Sequence, residues 1–117
     1  IHAEGFAAGE MKHGPIALIE DGLPVICLLD HHELSTKTIS NLKEAEARGA
    51  DIILIATQSA AEKVDFAKHK IVIEDCNPLI SPVVLAIPAQ ILAYVTAVEK
   101  GTDVDQPRNL AKSVTVE

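Results

Sequence analysis

Pro24-Val25-Ile26-Cys27-Leu28-Leu29 is an unbroken apolar run with Asp21-Gly22 shortly before it and Asp30-His31-His32 directly after it. A short run of that kind, bounded by turn residues, reads as a strand. With no polar residue on either alternating face, it reads as a parallel strand covered on both faces. Asp51-Ile52-Ile53-Leu54-Ile55-Ala56 repeats the signature, and Lys70–Ile73 is a shorter third strand, ended by Glu74-Asp75. Between the first two, the spacing predicts a helix from Glu33 to Arg48. Its apolar positions Ile39, Leu42 and Ala45 recur at helical spacing, and Gly49 is placed to cap it in the left-handed conformation. Ser59-x-x-Glu62 has capping-box spacing and predicts a short helix toward Phe66. Strands alternating with helices in this way give an α/β domain built on a parallel sheet.

From Asn77 to Val98 the chain carries no charged residue. Such a stretch is long enough to raise a membrane span. Ser81, Pro82, Pro88, Gln90 and Thr96 interrupt it, and no basic cluster flanks it, so a helix buried against the sheet is the better expectation. Ser81-Pro82 supplies an N-cap and first-turn pair, and Gly101 a C-cap. Pro88 removes one helical hydrogen bond and is expected to bend the helix.

Composition narrows the function classes. The 117 residues are 48% apolar with only three aromatic residues, Phe6, Phe66 and Tyr94, so the core is aliphatic. A net charge of −7 argues against nucleic acid as a partner, since nothing here would neutralise phosphates in bulk. Cys27 and Cys76 have no metal-ligand spacing and form no disulfide framework; reduced, buried side chains are expected. Adjacent His31 and His32 do not share a helix face and have no third ligand at a telling spacing, so no metal site and no cofactor are expected. The chain begins at Ile1, without an initiator Met or a signal-like start, and reads as a piece of something longer.

Ahead of the first strand lies Gly9-Glu10-Met11-Lys12-His13-Gly14-Pro15. Gly5 and Gly9 argue against a long helix here; short turns over Ala7–Met11 and Pro15–Ile19 are expected. Gly14-Pro15 forces a turn, and His13 directly before it carries an imidazole that gives and takes protons near neutral pH. Locally, two readings stay open: a surface turn with a solvated Lys-His pair, or a catalytic loop.

The two ends of the chain decide between them. Ile1-His2-Ala3-Glu4-Gly5-Phe6-Ala7-Ala8-Gly9-Glu10-Met11-Lys12-His13-Gly14-Pro15-Ile16-Ala17-Leu18-Ile19 resembles the second sugar-isomerase (SIS) domain of the glucosamine-6-phosphate synthase family, the isomerizing glutamine–fructose-6-phosphate aminotransferases. The tail, Gly101-Thr102-Asp103-Val104-Asp105-Gln106-Pro107-Arg108-Asn109-Leu110-Ala111-Lys112-Ser113-Val114-Thr115-Val116-Glu117, resembles that family's C-terminus. The resemblance implies a three-layer, flavodoxin-like parallel sheet flanked by helices, present here as a part with about three strands. Residues 1–101 would be the C-terminal portion of the SIS domain, and 102–117 a tail closing over the sugar site.

It also implies an activity: glucosamine 6-phosphate made from fructose 6-phosphate and glutamine, in a cytoplasmic homodimer or higher oligomer. His13 matches the residue that assists sugar ring opening in the neighbouring subunit's site. Lys112 matches the tail lysine at the sugar, and Ala111, Ser113 and Val114 match positions that close the site and line the ammonia route. The isomerisation base, the first SIS domain and the glutaminase domain would lie outside this chain, leaving the fragment inactive alone. The competing expectations are a non-catalytic SIS module that senses a phosphosugar, and a plain dimerisation domain.

Overall fold

The computed structural model describes residues 1–106 and Arg108. Three parallel strands form one sheet in the order β1 (Pro24–Leu29), β2 (Asp51–Thr57), β3 (His69–Ile73). Helix α1 (Ser35–Glu46) links β1 to β2, the short α2 (Gln58–Ala61) precedes β3, and α3 (Ser81–Glu99) follows it. Two 3-10 helices, Ala8–His13 and Pro15–Leu18, lie ahead of β1. The α/β architecture with three parallel strands is as the sequence predicts.

Register assigns each side chain to a face. Val25, Cys27 and Leu29 of β1 pair with Ile52, Leu54 and Ala56 of β2, and these face α1. There Leu42 and Ala45 of α1, Ala60 and Ala61 of α2, Val64 and Met11 complete one buried cluster, with Ile39 packed at its margin. Gly49 ends the α1 turn at φ +91°, and an added Cβ would lie 2.8 Å from the Asp21 carboxylate. Conformation and close approach both require glycine there. The helix itself is shorter than Glu33–Arg48 because Ser35 is drawn into a loop network. Its hydroxyl accepts from the His32 N–H at 2.8 Å and reaches the Asp30 carbonyl at 2.7 Å.

The opposite face corrects an expectation. Ile26, Leu28, Ile53, Ile55, Ile71 and the ends of β2 and β3 share it by register. Helix α3 packs chiefly on β2, so Ile55 and Thr57 are fully buried while Ile26 remains 52% and Leu28 48% exposed. β1 is therefore covered on one face only. Nor is α3 buried along its length: Ser81 and Leu85 are, whereas Val83, Ile87, Ile91 and Val98 are exposed. The geometry explains this. A helix of 19 residues runs about 28 Å, while three strands about 4.8 Å apart span roughly 10 Å between the outer axes, so the helix overhangs. It runs unbroken through Pro88, and it is long and apolar enough by length and composition to cross a membrane.

Three local expectations also change. Ser81 is the first residue of α3, not its N-cap, because its hydroxyl donates to the Asp30 carboxylate across the sheet edge. Ser59 and Glu62 form no capping box; the Ser59 hydroxyl goes to Asp75, and Glu62 accepts from Gln58 at 2.9 Å. Cys27 and Cys76 are free but half-buried, not fully so, and burial pushes the Cys27 thiol up to about 11.

Candidate functional site

His13 is the last residue of the first 3-10 helix and is exposed. Gly14 follows at φ +150°, a backbone that side chains disfavour, and Pro15 starts the second 3-10 helix. The turn expected over Ala7–Met11 thus runs on through His13. Three contacts hold this segment to α1 and the core. Met11 is buried in the apolar cluster, the Asn41 side-chain amide donates to the Ala8 carbonyl at 3.0 Å, and the Lys12 ammonium meets the Glu44 carboxylate at 2.5 Å. An open groove of about 380 Å³ runs between the segment and α1, lined by Gly9, Lys12, Lys37, Thr38 and Asn41 among others.

Lys112, Ala111, Ser113 and Val114 lie outside the described residues, so their relation to His13 is not part of the structure. The tail's first residues do fold. Thr102 bonds back to the Ala97 carbonyl through both its N–H and its hydroxyl, and the Asp103 carboxylate accepts from the N–H groups of Asp105 and Gln106.

A second polar group gathers where the parallel strands end, the edge of an α/β sheet that ordinarily faces ligands. His31 and His32 diverge there. The His31 ring accepts from the Lys63 ammonium at 2.9 Å, whereas the His32 ring accepts the Leu34 N–H at 3.0 Å. Among the described residues no group of three or more His, Cys, Asp or Glu is placed to hold a metal. Asp75 accepts from both the hydroxyl and the N–H of Ser59, which holds its carboxyl below the usual range; it thereby caps α2. The Asp30–Ser81 contact puts a carboxylate by the positive end of α3. These contacts tie loops to helices, and they are structural.

Neither Asn41 nor Glu44 stood out in the sequence, because an Asn and a Glu on an exposed helix face are ordinary solvated residues. Only the packing of the first 3-10 helix on α1 distinguishes them.

Comparison with known proteins identifies the setting of this loop. A model of the SIS domain matches residues 1–100. A glutamine–fructose-6-phosphate aminotransferase [isomerizing] from Rhizobium meliloti is 56% identical over 119 aligned residues, which take in all of this chain and 19% of the relative. One of the same name from Sphingobium yanoikuyae is 55% identical over 118, again all of this chain and 76% of the relative. The solved C-terminal domain of glucosamine-fructose-6-phosphate aminotransferase from Francisella tularensis superposes with a TM-score of 0.84 at 42% identity, covering 91% of this chain and 30% of that one. Against long relatives such as the Rhizobium protein the chain thus spans about a fifth of the length. With an SIS match over residues 1–100, identity above half along the full chain and a shared fold, the chain belongs to the SIS domain family, among the isomerizing glutamine–fructose-6-phosphate aminotransferases.

Proposed function

We propose that this chain is the C-terminal part of the isomerase half of an enzyme that makes glucosamine 6-phosphate from fructose 6-phosphate and glutamine. The observation that carries the reading is that relatives of that name match this chain over its whole length at 55–56% identity. In this reading residues 1–101 complete an SIS domain and 102–117 close over the sugar. The parent protein carries a glutaminase domain that supplies ammonia, acts as a homodimer or higher oligomer, and works in the cytoplasm.

The chemistry asked of His13 suits an exposed imidazole on a stiff turn. Opening the cyclic sugar breaks the bond between the ring oxygen and the anomeric carbon. A proton goes to the ring oxygen, and the anomeric hydroxyl gives one up as it becomes the carbonyl. An imidazole has one nitrogen that can donate a proton and one that can accept, so it serves both transfers. The Lys112 ammonium would oppose negative charge on the substrate or on the enolate that isomerisation forms. Ala111, Ser113 and Val114 would shape the closed site and the ammonia route.

The test uses the full-length protein and this chain side by side, with fructose 6-phosphate and either glutamine or ammonia. The expected result is glucosamine 6-phosphate from the full-length protein only. Turnover by the isolated chain would contradict the division of the site. Sugar-phosphate binding without turnover in the full-length protein, surviving deletion of Arg108–Glu117, would contradict the enzymatic reading in favour of a sensor.

A further inference from the structure

The first 3-10 helix poses a mechanical problem. Six residues is long for this conformation, whose hydrogen bonds are poorly aligned and which seldom persists beyond three or four. Among the described residues the His13 ring takes no hydrogen bond, so within them its backbone is what places it. A proton-transfer group must nevertheless be held closely, since a misplacement of about 1 Å costs on the order of 10²-fold in rate.

We infer that Asn41 and Glu44 of α1 are positioning residues for His13, a step that rests on the ring-opening role proposed above. The two lie three residues apart, and so on one face of α1. They grip the segment at two points: Asn41 holds the Ala8 carbonyl at its start, and Glu44 holds Lys12, the residue directly before His13. Buried Met11 pins the backbone between them. Together they splint the 3-10 helix against a three-turn α-helix that is itself anchored in the core through Leu42 and Ala45. Lys12 is thereby tied to α1 through an ion pair. The half-exposed ion pair adds little stability of its own. What it supplies is direction.

The experiment is a mutant cycle in the full-length enzyme. Asn41→Asp keeps the side chain's shape but removes the donor that Ala8 needs. It is expected to lower kcat with the cyclic sugar phosphate about 10–100-fold while leaving an open-chain analogue near the wild-type rate. Combined with His13→Ala it should cause no further loss, because both changes remove one function. Glu44→Ala is the second variant and should behave alike but more weakly, with Glu44→Gln restoring most activity. Losses that multiply with His13→Ala, or that fall equally on both substrates, would show that α1 merely supports the fold and would overturn the inference alone. Wild-type rates in both variants would overturn it too. If His13→Ala itself spares the cyclic substrate, the role of His13 falls, and this inference with it.

Discussion

On the α1 side of the sheet, Ile52, Leu54 and Ala56 are sealed beneath two helices and Met11. On the α3 side, Ile55 and Thr57 are as deeply buried, but the flanking Ile26 and Leu28 stand half in water, and α3 carries Val83, Ile87, Ile91 and Val98 outward along one helical face. The two faces have the same aliphatic composition. What differs is coverage: α1 and α2 each bridge two strands, whereas α3 packs mainly on one. Apolar character therefore marks what a domain intends to bury, and the architecture decides how much of it is buried by the residues at hand. Contiguous exposed aliphatic patches mark surfaces that other parts of a protein cover.

The sharpest way to break the comparison is a matched pair of truncations. Leu54→Ala empties a fully buried site and should cost about 2–5 kcal/mol in denaturant unfolding. Leu28→Ala, on the open side, should cost less than about 1 kcal/mol when the chain is diluted enough to stay monomeric. Equal losses in the monomer would mean that the chain itself covers this face.

Association sharpens the same contrast. With β1 offering both an open edge and an apolar face, the isolated chain should sediment at micromolar concentration as a dimer or larger. Ile26→Thr combined with Leu28→Thr should shift it toward monomer. A wild-type chain that stays monomeric would contradict this.

The smallest effect concerns the strand ends, where contacts are polar. The Asp75 carboxyl is held below its ordinary range by the Ser59 hydroxyl and N–H. A group depressed in the folded state contributes stability that is complete above its unfolded pKa, near 3.9, and is lost as pH falls through the folded value. Melting temperature measured from pH 6 to pH 2 should therefore drop below about pH 4. Asp75→Asn should be less stable at pH 6 and show a shallower drop. An unchanged slope would mean that the Ser59 contacts do not distinguish the charged from the neutral carboxyl.

β1 and β2 were legible because six- and seven-residue, largely aliphatic runs between turn signals have few other uses. Helix α1 was legible in Leu42 and Ala45, both buried where the spacing placed them. The capping roles of Ser59 and Ser81 were not. A hydroxyl near a helix start has several acceptors within reach, and here Asp75 and Asp30, distant in sequence, took them. The coverage of β1 and α3 was equally hidden, since a fully apolar strand looks the same whether or not a neighbour covers its second face. At the candidate site His13 stood out by chemistry and by its Gly-Pro turn, while Asn41 and Glu44 became visible only through what they touch.

The central claim is that His13 acts in ring opening, and one measurement addresses it directly. In the full-length enzyme, the rate of His13→Ala is compared with wild type on the cyclic sugar phosphate and on an open-chain analogue that skips the first step. The account predicts a loss of about 10²–10⁴-fold on the cyclic substrate, the usual worth of general acid–base help, and a near wild-type rate on the analogue. Equal loss on both would contradict it and leave His13 as a residue that only shapes its loop.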